Sequence, residues 1–314
     1  MEKVRISDIA RQLGLSAATV SNVLRGKHEK ISRETEKRVL EAIEATGYLP
    51  ARAEVLLGRN PRSLIGFVTN DHPIYEGRPF SDSYHMESLA ALIHEAAKRD
   101  LDVVPRSARS WEEVADFAST WNMKGLILSG FCQTDYENLR SQLHIPLIIY
   151  NASAPGLACV SNDDFEGGRL LGKYLTELGH ASVLCLLFGR QSPDMDRVLG
   201  LQAAGLDTRI LVVPASSHDR LAFYAAMDPV AETAVFCTSD QLALEFMHQP
   251  AFDPALSVCG FDGITAGQYN TPSLTTIVQD HEAQAMAALS CLHTKTASIK
   301  IAGRLRKGRS VHEV

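Results

Sequence analysis

ISDIARQLGLSAATVSNVLRGK, residues 6–27, decides how the amino-terminal end of this chain is read. Ile6, Ile9, Ala10 and Leu13 share one face at helical spacing, which predicts a short helix through DIARQLG after Ser7. Gly14-Leu15 predicts a tight turn, and Ser16 is placed to cap a second helix, AATVSNVL, through its hydroxyl. In that helix Val20, Val23 and Leu24 turn inward, while Ala17, Ala18, Thr19, Ser21 and Asn22 stay outside. After the loop RGKHEKI, Ser32 is a second N-cap. Glu34 and Glu36 follow in a first turn, where the helix dipole favours negative charge. Val39, Leu40 and Ile43 are expected to close a small core.

Short helix, glycine turn, short helix is the helix-turn-helix arrangement, whose second helix enters a DNA major groove. Small side chains at Ala17 and Ala18 permit close approach, and their methyl groups can touch thymine methyls. Asn22 is the side chain there able to pair with an adenine edge. Ser7, Ser16, Thr19, Ser21, Ser32 and Thr35 suit phosphate oxygens, which position a protein without specifying sequence, and Arg25 and Lys27 add charge. On the residues alone, a three-helix bundle used for protein contact stays open as an alternative.

Composition supports a soluble chain with more than one core. It has 314 residues, 45% hydrophobic and 22% charged. No apolar run is long enough to span a bilayer, and the amino terminus lacks the apolar core of a secretory signal, so a cytoplasmic protein is expected. Cys132, Cys159, Cys185, Cys237, Cys259 and Cys291 are widely spaced without a CxxC pair and are read as buried reduced thiols. Residues 1–59 carry 11 Lys/Arg against 8 Asp/Glu, and the remainder 20 against 29. A small basic module beside a larger acidic one suits a phosphate backbone contacted at one end only.

Residues 6–27, followed by ISRETEKRVLEAIEATGYLP at 31–50, resemble the headpiece of the lactose-repressor/galactose-repressor (LacI/GalR) family. The resemblance implies a hinge after Tyr48 and Pro50 that folds on the operator, with Leu57 wedging into the minor groove and kinking the duplex. Glu54 departs from the family's usual alanine and would place a carboxylate against strong negative potential. A plain linker helix packing Leu56 and Leu57 on the body is the other reading of this segment.

Beyond Pro61 the pattern changes. LIGFV, LDVV, GLILS, PLIIY, VLCLLF, RILVV, AVFCT and LSVCG read as strands buried on both faces. Helical patterns such as SLAALIHEAAKR, RLLGKYLTEL and SDQLALEFM alternate with them, which predicts parallel sheets with helices on both sides. Two such lobes leave a cleft between the carboxyl ends of their strands. No enzyme site is expected. GGRLLGKY at 167–174 contains G-x4-G-K, but Tyr174 stands where a phosphate loop needs Ser or Thr, and the segment lies in an amphipathic pattern. His180 after Gly179 reads as a helix-end residue.

The resemblance extends through GLILSG, VSNDDFEGGRLLGKYLTELGH, FCTSDQLALEFM, LSVCGFDGITAGQYNTPSLTTIVQD and LRKGRSV, covering essentially the whole chain. It implies an α/β fold: a three-helix headpiece (1–49), a hinge (50–61) and a two-lobed body like the periplasmic binding proteins (62–314). The lobes are expected to meet near 155–162 and to cross again near 280. The family binds a sugar, sugar phosphate or purine in the cleft. Carried over, Asp71, Asp163, Arg197, Ser239, Asp262 and Gln279 become effector-binding candidates, with Arg197 holding hydroxyls or carboxylates in a fork. Asp240 is read as a helix N-cap, and Asp163 and Asp164 either cap the next helix or line the cleft. HPIYEGRPF replaces the family's usual aromatic stretch, so the stacking side chain is Tyr75, Phe80 or absent, and His72 and Arg78 favour an anionic ligand. The expected function is an effector-controlled repressor. It binds double-stranded operator DNA as a homodimer, since paired headpieces match palindromic sites, with no cofactor, metal or membrane partner.

Overall fold

A computed structural model describes residues 6–24, 31–46, 63–152, 154, 156–190, 193–227, 231–250, 252–293 and 297–314. Arg25 and Leu57, both expected to meet DNA, and Glu54 in the hinge lie outside the described residues.

Three helices form the headpiece: α1 (Ile6–Leu13), α2 (Ala17–Leu24) and α3 (Arg33–Thr46). Helix α1 starts at Ile6, so Ser7 is part of it instead of preceding it. Gly14 takes φ +67°, a left-handed conformation that glycine adopts without steric cost, and this ends α1 so that α2 can turn back. The two serine caps are formed as the spacing predicts. Thr19 N–H donates to Ser16 Oγ at 3.0 Å, and Thr35 N–H to Ser32 Oγ at 3.1 Å. Ile9, Ala10, Val20, Val23, Val39 and Ala42 make the core, with Ile43 packed against it. Leu40, expected inside, is 50% exposed. Val39, Ala42 and Ile43 already occupy one face at i, i+3 and i+4, and Leu40 is turned about 100° away from Val39.

The body begins with β1 (Ser63–Asn70), α4 (Ser83–Ala97), β2 (Leu101–Ala108), α5 (Trp111–Thr120), β3 (Gly125–Ser129), α6 (Gln133–Gln142), β4 (Leu147–Tyr150) and β5 (Ala158–Asn162). It continues with α7 (Asp164–Glu177), β6 (Ser182–Leu187), α8 (Asp194–Ala203), β7 (Asp207–Val212), α9 (Ser217–Ala226), β8 (Ala234–Cys237), α10 (Asp240–Met247) and β9 (Ser257–Asp262). Then come α11 (Thr265–Tyr269), β10 (Thr275–Val278), α12 (His281–Ser290), β11 (Ala297–Ile301) and β12 (Arg304–Arg306). Two six-stranded sheets result, ordered β2-β1-β3-β4-β5-β11 and β7-β6-β8-β9-β10-β12, parallel except for β12. Each has apolar clusters packed on both faces.

The chain crosses between lobes at 162–164, at 278–281 and a third time at 301–304, where β11 leaves one sheet and β12 joins the other. That last crossing escapes a hydrophobicity reading because ASIKI is partly exposed along its length. Strands β2 and β7, expected to be buried on both faces, are largely half-exposed. They are sheet edges, which is also why Pro105 is tolerated in β2. Residues 167–174 lie inside α7, and His180 is buried, bonded to Thr233 Oγ1 (2.7 Å) and to the His312 carbonyl (3.0 Å). Five cysteines are buried and Cys132 is exposed. No helix among the described residues is long and apolar enough to cross a membrane.

Candidate functional site

Two surfaces carry the candidate chemistry. On the headpiece, Ser7, Ser16, Ala17, Ala18, Asn22 and Ser32 are exposed, and Thr19, Ser21 and Thr35 are half-buried. The hydroxyls pair locally: Ser16 Oγ lies 2.8 Å from Thr19 Oγ1, and Ser32 Oγ 2.9 Å from Thr35 Oγ1. The first turn of α2 and that of α3 each present paired hydroxyls at a helix N-terminus, an arrangement that favours phosphate oxygens. Arg38 holds the end of α1 through the Leu13 carbonyl at 3.2 Å.

In the body, Arg197 is the centre. It sits on the first turns of α8, whose contact with α7 is set by glycine: a Cβ on Gly168 would stand 2.0 Å from the Arg197 carbonyl oxygen, and one on Gly200 2.2 Å from that of Phe165. This close approach brings the start of α7 against the arginine. Arg197 Nε donates to Asp164 Oδ1 at 2.8 Å, a second guanidinium nitrogen donates to the Thr238 carbonyl, and Asp262 Oδ1 lies 3.9 Å from that nitrogen. The guanidinium stacks 3.9 Å from the Phe261 ring centre. Burial alone would lower its pKa; Asp164, Asp262 and Asp194 outweigh burial and hold it above the ordinary arginine value. Burial in turn raises the carboxyls of Asp164, Asp194 and Asp262, with the arginine opposing it in each case.

Asp262 ends β9 at φ +124°, a strained conformation for a side chain with a Cβ. Gln279 fixes it twice, donating Nε2 to Asp262 Oδ1 at 2.7 Å and its own N–H to the Asp262 carbonyl at 3.0 Å. The Gln279 side-chain oxygen Oε1 accepts from Asn162 Nδ2, and Asn162 Oδ1 accepts from Gln284; Asn162 also donates to Asn151 Oδ1, and Asn151 donates to the Tyr84 hydroxyl. Asn162 and Gln279 stand at the first and second crossings, so this amide chain ties Asp262 to the segments that join the two lobes.

Other nominated residues divide. Tyr75 meets His85 edge-on at 4.9 Å and lies close enough to Asp82, Tyr84, Asp262 and Asp194 for their charge to reinforce the upward shift that burial gives its hydroxyl. Phe80 instead packs on Phe67 at 6.4 Å, against the core of the first lobe. Asp71 is bonded to Arg109 at 3.1 Å, apart from the Arg197 group. Asp163 caps α7 through the Glu166 N–H at 3.3 Å, leaving the arginine to its neighbour Asp164. Ser239, not Asp240, caps α10. Asp240 is buried; it accepts from Gly263 N (2.8 Å), Ile264 N (2.9 Å) and Thr276 Oγ1 (2.5 Å), and its carboxyl is pushed up to about 6 by burial. It braces the loop that carries Asp262. His72 is exposed and Arg78 74% exposed, the latter 4.0 Å from Glu76, so neither brings positive charge to Arg197.

Asp194, Asn162 and Tyr84, which the structure brings to this group, are not nominated by the sequence, and Asp164 is left there between a helix cap and the cleft. A signal exists for Asp194: it stands three residues before Arg197, the helical spacing at which opposite charges meet. At the rim, Glu76 accepts from Ser217 N (2.7 Å) and Oγ (2.8 Å), and Glu87 from Thr265 N (3.1 Å), joining the lobes directly.

The family described as bacterial regulatory proteins, lacI family, matches residues 5–51. The family described as periplasmic binding proteins and sugar binding domain of LacI family matches residues 73–271. The HTH-type transcriptional regulator AglR of Rhizobium meliloti is 30% identical over 261 residues, covering 77% of this chain and 71% of that protein. The HTH-type transcriptional repressor PurR of Escherichia coli is 26% identical, covering 98% of this chain and 96% of that protein. The lac repressor dimer bound to operator and the anti-inducer ONPF shares the fold, with a TM-score of 0.68 at 20% identity over 99% of this chain and 100% of that one. The chain therefore belongs to the LacI family of DNA-binding transcriptional regulators.

Proposed function

We propose that this regulator represses transcription as a homodimer on a pseudo-palindromic operator, and that a small polar effector between the lobes sets its affinity for DNA. One observation carries the effector reading: Arg197 and Asp262 meet at the carboxyl edge of the second sheet, fixed by Gln279 to the crossing segments. An occupant that touches them acts on the segments that set lobe closure. In physical terms the lobes form a two-state element, and an effector shifts it only by the difference of its affinities for the two states. The amide chain from Asp262 through Asn162 to Tyr84 is the path by which that difference reaches the first lobe. Tyr75, beside Tyr84 and near Asp262, offers a ring face to the ligand.

On DNA, α2 lies in the major groove with Ala17, Ala18 and Asn22 at base edges and Ser16, Thr19, Ser32 and Thr35 at phosphates. Arg25 and Leu57 extend the contact to the backbone and to the minor groove. The lac repressor, solved as a dimer on its operator with an anti-inducer, supports the arrangement. The test is a mobility-shift assay of full-length protein on fragments flanking its own coding region. A discrete shift that competitor DNA does not remove, and that weakens with salt, is expected. Shifts equal on all fragments would overturn the operator reading.

A further inference from the structure

We propose that the cleft selects a polyhydroxylated ligand bearing a protonated amine, such as an amino sugar, over neutral sugars and sugar phosphates. The proposal rests on reading the cleft as the effector site and names the class of its occupant. Its ground is how Arg197 is used. The guanidinium is engaged at its edge by Asp164 (2.8 Å) and the Thr238 carbonyl, approached by Asp262 (3.9 Å), and covered on a face by Phe261. A cation so enclosed has little left to offer an anion. Asp164 and Asp262 are each 7% exposed, and Asp194 adds a third carboxylate close enough to act on the same arginine. Three carboxylates thus face one arginine.

Three other cations of the body are engaged by other groups. Arg109 is 78% exposed on Asp71, Arg78 faces Glu76, and Arg306 donates to the Gly263 and Ile264 carbonyls. His85 is bonded to Asp82 at 3.1 Å, and Asp82 lies near enough to Asp262 to raise its pKa further. A phosphate would bring further negative charge into this group. A neutral sugar would leave the imbalance in place. An ammonium group supplies three donors and one compensating charge.

The opposite wall gives an independent sign of a polar ligand. Tyr150, at the carboxyl end of β4, is 2% exposed, and its hydroxyl has no hydrogen-bond partner within the described structure. It lies near Tyr84, which itself senses Asp262, Asp164 and Arg197. Tyr75 and Tyr84 beside an acidic group also give the ring faces that attract an ammonium ion.

The experiment uses the full chain and measures affinity by calorimetry for glucosamine, galactosamine and mannosamine, for the parent hexoses, and for the hexose 6-phosphates. The proposal expects at least one hexosamine to bind more tightly than its parent hexose by about tenfold, which is about 1.4 kcal/mol. It expects Asp262→Asn to remove that preference. A hexose or a hexose phosphate binding at least as tightly as every amine overturns the proposal and leaves the cleft reading intact. An amine that binds wild type and Asp262→Asn alike sits elsewhere and overturns both. If none of the nine binds, the thermal midpoint without ligand decides. Relief of carboxylate repulsion predicts that Asp262→Asn melts higher than wild type at mildly alkaline pH; an equal or lower midpoint means that the cleft charge is already balanced, and the proposal fails.

Discussion

The headpiece and the cleft place their functional groups in opposite settings. On α2 the groups proposed to meet DNA are exposed or half-buried, and the six-residue core beneath them involves none of them. In the cleft, Arg197, Asp164 and Asp262 are buried together, with Arg197 the cation that the carboxylates share. Binding and stability are therefore separable in the headpiece and coupled in the cleft. A side chain can be removed from α2 with little effect on folding, whereas removing the buried arginine of the cleft leaves its carboxylate partners uncompensated.

The largest effect follows from that coupling. Arg197→Ala leaves Asp164, Asp262 and Asp194 without their cation and should cost about 3–5 kcal/mol, the usual cost of breaking a buried ion pair. For a body of this size that lowers the melting temperature by roughly 10 °C, readable by calorimetry. An unchanged melting temperature would mean that the carboxylates need no arginine, and the contrast between the two regions would disappear.

Gly168→Ala comes next. The added methyl would lie 2.0 Å from the Arg197 backbone, so α7 and α8 must separate. About 1–3 kcal/mol of stability should be lost, together with effector response, while DNA binding by the headpiece persists. A variant that keeps full effector response would show that the helix approach does not position Arg197.

Asn22→Ala sharpens the other side of the comparison. It should leave the melting temperature unchanged and cost about 1–3 kcal/mol in discrimination between operator and random DNA. Equal losses on both would show that Asn22 reads no base. The smallest effect is expected at the rim, where Glu76→Ala removes the acceptor of two hydrogen bonds from Ser217. Closure should weaken and effector affinity should fall modestly, with DNA affinity in the absence of effector little altered. A loss as large as that of Arg197→Ala would make the rim, and not the cleft floor, the seat of closure.

The difference between the regions also explains what could be read from the sequence. Both serine caps, the inward valines and the turn at Gly14 follow from spacings of a few residues, and the structure has all of them. Leu40 misleads because composition registers its hydrophobicity and only helical phase shows its direction. In the body, the alternation of strand and helix was legible, and the resemblance nominated Arg197 and Asp262 but not the contact between them. The choice of Asp164 over Asp163 was not legible. That choice depends on a contact across 33 residues, and the amide chain on contacts across 117 and 122. Adjacent aspartates have the same composition, and only the approach of α7 to α8 decides which one turns inward. Short half-exposed strands such as β11 and β12 carry too little hydrophobic signal to announce a third crossing.

The regulator reading stands on base recognition by α2, and selection from a pool of random duplexes tests it most directly. Purified full-length protein should enrich a two-fold symmetric sequence whose binding falls steeply with salt, and Asn22→Ala should alter the base preferred at one position in each half-site. A pool that stays random after repeated rounds, at every salt concentration and with or without hexosamines, would contradict the account.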